Sequence, residues 1–417
     1  MNKDKRILLL SSRYGISNSA NSICVKNIAR EFQKRGYDVF VLTSSGCEEE
    51  QEYELDGVKV FALKQALYSK LLNEYSGDAK LDKKVSFYLY SILRRLLNFF
   101  IYPNVSPIRS RKIYLKAKEI ISENKIKIVI STYRPYENIY TVLKLSKEVN
   151  FQLLLFDFQL DLLAESNQRA GFIKRVLNHR ATKVIKQEIM HLDGLILPES
   201  ARRDYTEKNN VFFSGFPVFI PDTNAGMSEF KYDTNYINIV YIGSLSIENR
   251  NPQCAFNLIK KLNEISERKY LIHVWGNIDS AINKMISQSS FVIYHGLIDN
   301  IYTMDLLERA DLLLNISNEQ TYNMLPSKIF QEFASMRPII NFVKNEADMS
   351  LPFFINYKFV VNIYERDAKS VDIKALNYKF QKLISEEISR PDELLRKYTP
   401  KYFVDIIERI VNGREKK

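Results

Sequence analysis

Lys328 and Glu332 stand four residues apart in the stretch 311–341, DLLLNISNEQTYNMLPSKIFQEFASMRPIIN. On a helix that spacing puts both side chains on one side, a turn apart. A lysine so placed offers a point charge to an anion, and a carboxylate one turn on can accept two hydrogen bonds from a sugar diol. The same spacing also describes an ordinary solvated ion pair. The neighbouring residues define the element that carries them. Ile329, Phe330, Phe333 and Ala334 fall at helical spacing, while Gln331 and Ser335 join Lys328 and Glu332 on other faces. Pro326-Ser327 predicts the helix start, with Ser327 near the cap. Leu312-Leu313-Leu314 and Pro338-Ile339-Ile340 predict short buried strands on either side. The order is therefore strand, polar loop (holding Asn323), helix, strand. That unit sets the loop and the helix start at the carboxyl edge of a parallel sheet, where open α/β folds bind ligands. The free N–H groups of a helix start suit a diphosphate.

PSKIFQEFASMRPII resembles the donor-nucleotide site of GT-B glycosyltransferases, specifically the large retaining family 4 group. In that family a helix opens with a lysine, carries a glutamate, and runs into small residues and a proline. The resemblance implies that Glu332 holds a ribose. The family often has a second glutamate eight positions earlier, and Met324 stands there instead. Met336-Arg337 replaces the usual glycine before the proline. A basic residue that reaches the donor diphosphate in the family corresponds to Arg250, after Gly243-Ser244-Leu245-Ser246 at the end of a strand predicted over 237–242. An arginine suits that task because its fork can meet two phosphate oxygens at once.

The first half of the chain supplies weaker candidates. Asp157 and Asp161 close a strand predicted over 151–156, where the family often lines its cleft with acidic residues. The loop 11–21, SSRYGISNSAN, contains one glycine, so the GxGxxG fingerprint is missing. Ser17, Asn18, Ser19 and Asn21 could supply donors on the acceptor side, or simply cap a helix.

The positioning elements alternate along the whole chain. Strands are predicted over 5–10, 39–43, 58–63, 126–131, 151–156 and 211–213, then over 237–242, 270–275, 291–294, 312–314 and 338–340. This is an α/β pattern of two Rossmann-like doubly wound parallel-sheet domains, and the resemblance implies the GT-B arrangement in which they face a cleft. The expected boundaries are 1–215 for an acceptor domain, 216–236 for a linker, 237–395 for a nucleotide-sugar domain, and 396–417 for a C-terminal helix that the resemblance implies returns to the first domain.

Composition narrows the class. Three cysteines among 417 residues, at 24, 47 and 254, lack ligand spacing and fit a reducing compartment. There is no Asp-x-Asp, Walker loop, HExxH or GxSxG, and His179, His191, His273 and His295 form no ligand set. Neither a metal nor a resident cofactor is expected; a UDP- or GDP-sugar is the co-substrate. The formal charge is +11, and residues 64–128 hold fourteen Lys and Arg against five Asp and Glu. Within them VSFYLYSILRRLLNFFIY, residues 85–102, is apolar but interrupted by Arg94-Arg95. It is too broken to span a bilayer and has the composition of a helix lying at a membrane interface, or of one packed in the domain. No nucleic-acid partner is expected.

The resulting expectation is a metal-independent, retaining hexosyl-type transferase. It would move sugar to a lipid-linked saccharide at the cytoplasmic face of a bacterial membrane, in surface-polysaccharide synthesis. Arg250, Lys328 and Asp157 are the expected catalytic groups. Gly243, Ser244, Asn323, Ser327 and Glu332 face the donor, and Asn18, Asn21 and Asp161 the acceptor. The alternative is a non-catalytic relative that binds a nucleotide-sugar or a membrane partner. A nucleotide-sugar epimerase on the same fold is a third reading, but few acidic or histidine residues are placed for it.

Overall fold

The structure, a computed structural model, describes residues 5–12, 14–15, 20–47, 49–64, 85, 88–89, 91–93, 106–132, 136–145, 147–148, 152–156, 176–177, 179, 193–198, 211–215, 217, 226–319 and 325–414. The chain divides into two compact units. One comprises Met1–Val218 with Lys397–Lys417, the other Phe219–Arg396.

The first unit is built on β1 (Arg6–Ser11), β2 (Asp38–Cys47), β3 (Gln51–Leu55), β4 (Val58–Lys64), β5 (Ile128–Thr132), β6 (Gln152–Phe156), β7 (Gly194–Pro198) and β8 (Val211–Ser214). Their spatial order is β3-β4-β2-β1-β5-β6-β7-β8. Every pairing is parallel except β3 with β4. β1 is apolar from Ile7 to Leu10 because both its faces are covered. Leu8 and Leu10 pack under the helix Pro107–Asn124, against Ile113, Ala117 and Ile120. Ile7 and Leu9 point the other way, toward Ile28 and Phe32 of the helix Ala20–Lys34 and Phe403 and Ile407 of the last helix, Pro400–Arg414. Arg35 ties those two helices together through Glu31, Asp405 and Glu408, at 2.9, 2.7 and 2.7 Å.

β3 is absent from the sequence-based strand set. It forms a hairpin with β4 through Asp56-Gly57, whose φ values of 51° and 76° are those of a two-residue primed turn. Its Leu55 and Tyr53 lie against Gly15 of the loop after β1. That loop is thus partly built into the fold: Tyr14 is fully buried, and its N–H donates to Thr43 Oγ1 at 3.1 Å.

The second unit holds β9 (Ile237–Ile242), β10 (Tyr270–Trp275), β11 (Val292–Tyr294), β12 (Leu312–Ile316), β13 (Ile339–Val343) and β14 (Val360–Tyr364). All pairings are parallel, in the order β11-β10-β9-β12-β13-β14. This is the Rossmann order, in which the chain winds outward in both directions from the central pair. β9 and β12 are that pair, so the crevice at their carboxyl ends is the topological switch point. Residues 226–236 fold into the same unit: Phe230 packs edge-on against Trp275 and His295, and Tyr232 donates to Leu306 O at 2.9 Å. No helix among the described residues is long and apolar enough to cross a membrane.

Candidate functional site

The segment after β12 leads to the helix Lys328–Ala334, whose apolar side is sealed by Ile329, Phe330 and Phe333. Phe330 and Phe333 make ring contacts with Phe353 and Phe354 of the short helix Leu351–Ile355. This anchoring buries the other side of the helix too. Glu332 is only 4% exposed. Its Oε1 lies 3.5 Å from Lys328 Nζ, too long for a full hydrogen bond. Lys328 Nζ also sits 4.3 Å from the centre of the Tyr241 ring, and its stem runs past Gly243. Among the described residues, neither Lys328 Nζ nor Glu332 Oε2 has a hydrogen-bond partner, although both atoms are buried. A desolvated ammonium with unfilled donors, beside an unfilled carboxylate oxygen, is the arrangement that a ligand carrying both an anion and hydroxyls can complete.

Burial pushes the Glu332 carboxyl above the usual range, and Lys328 and Arg250 pull it back down. Arg250 therefore acts on the same site from the segment after β9. Its Nε donates to Asn318 Oδ1 at 2.7 Å. Gly243 and Ser244 form the turn that ends β9. Tyr241 Oη donates to Ser244 O at 2.9 Å, and Gly243 N–H to Trp275 O at 2.9 Å. A side chain at Gly276 would put its Cβ 2.1 Å from Gly243 O, so the close approach of these two strand ends requires glycine there.

The structure brings Gly243, Ser244, Arg250, Lys328 and Glu332 together at the switch point. Ser327 is the N-cap residue of this helix, as expected, although its φ and ψ of −62° and −27° are already helical and its side chain makes no capping bond. Asn323 and Met324 lie outside the described residues, as do Asn18, Asp157 and Asp161. Asn21 falls within the helix Ala20–Lys34 of the first unit. Tyr241, Gly276, Asn318 and Asp348 were not singled out in the sequence. Gly276 had a signal, since a glycine closes β10 just as Gly243 closes β9. Among the described residues no cluster of three His, Cys, Asp or Glu could hold a metal.

No protein-family model matches the chain, and no curated protein does. Solved structures do. A form of S. aureus TarM in complex with fondaparinux, alpha-GlcNAc-glycerol and UDP has a TM-score of 0.57 at 11% identity, covering 98% of this chain and 100% of that one. Sucrose-phosphate synthase from Thermosynechococcus elongatus gives 0.56 at 12% identity, over 98% and 100% of the two chains. UDP-GlcNAc 2-epimerase from Methanocaldococcus jannaschii gives 0.53 at 10%, over 97% and 99%. Likenesses at these identities establish the fold. It is GT-B, with two Rossmann-like units, and its structural neighbours are glycosyltransferases together with an epimerase.

Proposed function

We propose that the protein is a retaining, metal-independent glycosyltransferase of the family 4 kind that uses a UDP- or GDP-sugar. The observation that carries this reading is the buried Lys328–Glu332 pair with unfilled hydrogen-bonding atoms at the β9/β12 switch point. In this proposal Arg250 and Lys328 stabilise the negative charge that develops on the departing nucleotide, an electrostatic role. Glu332 accepts from the ribose hydroxyls, and the turn at Gly243-Ser244 lets the diphosphate approach the backbone. Asn323 and Ser327 complete the donor side. Retention follows from attack on the leaving-group face, with no strong protein nucleophile. Asp157 is assigned to the catalytic groups, and Asp161, Asn18 and Asn21 to the acceptor side, in the first unit. The acceptor is proposed to be a lipid-linked saccharide at the inner face of a bacterial membrane, in surface-polysaccharide synthesis. The basic residues of 64–128 support that part of the reading.

The test is nucleotide binding followed by turnover. UDP or GDP should bind the full chain, and Lys328→Ala and Glu332→Ala should each weaken that binding by about 1.5–3 kcal/mol, the loss expected for one charge-assisted contact. Equal binding by both variants and the parent refutes the donor-site assignment. Binding without release of UDP or GDP from any nucleotide-sugar, with any acceptor, points instead to a non-catalytic relative. Activity should persist in EDTA, since arginine and lysine can carry leaving-group charge that a metal carries elsewhere. Loss in EDTA with recovery on adding manganese contradicts that part.

A further inference from the structure

Arg250 is held by a hydrogen-bonded chain that runs through Asn318 to Asp348. Asn318 is the second residue after β12, and its Oδ1 accepts from Arg250 Nε at 2.7 Å and from Asn249 Nδ2 at 3.3 Å. The Asn318 N–H donates to Asp348 Oδ2 at 3.2 Å. Asp348 is 2% exposed, and its Oδ1 accepts from Ser350 N–H at 2.7 Å and Ser350 Oγ–H at 2.5 Å. The segments after β9 and β12 are also zipped together, because Glu319 N–H donates to Asn249 O at 2.9 Å. Lys344 N–H fixes the first residue of the same segment through Ser317 Oγ at 2.8 Å.

We propose that Asn318 and Asp348 are positioning residues for Arg250: Asp348 pins the Asn318 backbone, and Asn318 takes the Nε edge of the guanidinium and presents the Nη fork to the diphosphate. The inference rests on the nucleotide-sugar reading above. An arginine on a free stem loses rotamer freedom each time it grips a phosphate. With Nε held, much of that ordering is already done, and the two Nη groups keep the planar fork that can meet two oxygens. Asp348 is suited to this by its distance. Its field reaches Arg250, and Arg250 draws down a carboxyl that burial raises. Yet Asp348 bonds to Asn318 and Ser350, so the attraction leaves the fork open to the ligand. The competing account is that Asn318 and Asp348 simply staple two segments of the unit.

A double-mutant cycle on the full chain separates the two accounts. UDP and GDP affinities are measured by calorimetry for the parent, Asn318→Ala, Asp348→Asn, Arg250→Ala and the double variant Asn318→Ala/Arg250→Ala, with melting temperatures alongside. Asn318→Ala and Asp348→Asn should each lower affinity for the bound nucleotide about tenfold, the weight of one modest charge-assisted contact. Asn318→Ala should add nothing once Arg250 is gone, because it acts through that residue. Additive losses, or unchanged affinity with a lowered melting temperature, overturn the proposal and leave the nucleotide-sugar reading standing. A parent that binds neither UDP nor GDP overturns both. Should the Asn318 and Asp348 variants fail to fold, Arg250→Lys decides. It keeps the charge but has no Nε–H for Asn318, so it should also bind about tenfold more weakly, and parent-like affinity overturns the proposal.

Discussion

Single residues at the site differ in how visible they are in the sequence. Lys328 and Glu332 can be found because their partners lie within one helical turn, and Arg250 because the family resemblance places a basic residue in the segment after β9. Asn318 and Asp348 leave no local trace: their contacts run across 68 positions to Arg250 and 30 positions between themselves. The resemblance was informative even where the residue departs from it. The helix Lys328–Ala334 ends at Ser335, and the next residue, Met336, has φ of 55°. The backbone there keeps the left-handed conformation that glycine commonly supplies after a helix, although the residue is methionine. An L residue in that region is strained by about 1–2 kcal/mol, partly offset by glycine's greater freedom in the unfolded chain. The Met336 side chain is 41% exposed, so little packing is lost with it. Met336→Gly should therefore raise stability by about 0.5–1 kcal/mol in urea unfolding, and Met336→Ala should not. A loss of stability in the glycine variant contradicts this account.

At the scale of elements, the strands that form the two sheet centres were legible because burial on both faces makes them continuous apolar runs. The hairpin strand β3 was not, since QEYEL is mostly polar at the sheet edge and only Asp56-Gly57 marked its turn. Polar residues inside apolar strands depend on partners that the local pattern does not reveal. His273 lies in the middle of β10 and is 3% exposed. Asn238 Nδ2 donates to Asp233 O, Tyr236 O and Asp311 Oδ2, so Asn238 Oδ1 must accept from His273 Nε2, at 3.0 Å. His273 Nδ1 is then the acceptor for His295 Nε2, also at 3.0 Å. Trp275, Phe230 and Tyr232 pack around the two rings. Burial, and then the charge of His295, hold the His273 ring down to about 4. Burial lowers His295 as well. The folded chain thus keeps His273 neutral where the unfolded chain takes up a proton. Stability present above pH 6.5 is lost as pH falls from there toward 4, by up to about 3 kcal/mol at roughly 1.4 kcal/mol per pH unit. Glutamine can donate to Asn238 and accept from His295 without titrating. His273→Gln should lose correspondingly less stability than the parent between pH 7 and 4. The chain's single tryptophan, Trp275, stacks on His295 at 4.3 Å and reports on this unit by fluorescence. Parallel pH profiles for parent and variant contradict the assignment.

At the scale of the whole molecule, the alternation of strands and helices sufficed for two parallel-sheet units and the family resemblance supplied the GT-B fold, whereas surface function depends on side chains whose exposure no periodicity reveals. Val85, Tyr88, Leu89, Ile92 and Leu93 recur at the spacing of one helical face, and all five are exposed, Tyr88 by 68% and Leu89 by 61%. The described residues among 85–93 are helical, and the Ser91 hydroxyl is turned inward. A soluble helix ordinarily turns such a stripe toward its core. The stripe belongs to the stretch 64–128, which carries a local excess of nine positive charges. Arg94 and Arg95, the basic pair expected to meet lipid phosphates, lie outside the described residues. Apolar side chains at the headgroup boundary and basic residues around them are the two contributions that hold an interfacial helix on an anionic bilayer. Each basic residue near such a surface contributes about 1 kcal/mol, screened over roughly 8 Å at physiological salt. The expected outcome is partition onto vesicles containing phosphatidylglycerol that weakens with added salt and is much weaker on neutral phosphatidylcholine. Leu89→Ser/Leu93→Ser removes two exposed side chains, so it should leave the melting temperature and UDP or GDP affinity unchanged. The same variant should cut vesicle binding severalfold, since each leucine withdrawn from the boundary forfeits about 1.5–3 kcal/mol of burial at most. Arg94→Glu/Arg95→Glu should cut it further and flatten the salt dependence. If the leucine variant instead melts early while partition is unchanged, the stripe is packed within the folded chain, and a lipid-linked acceptor must reach the protein by another route.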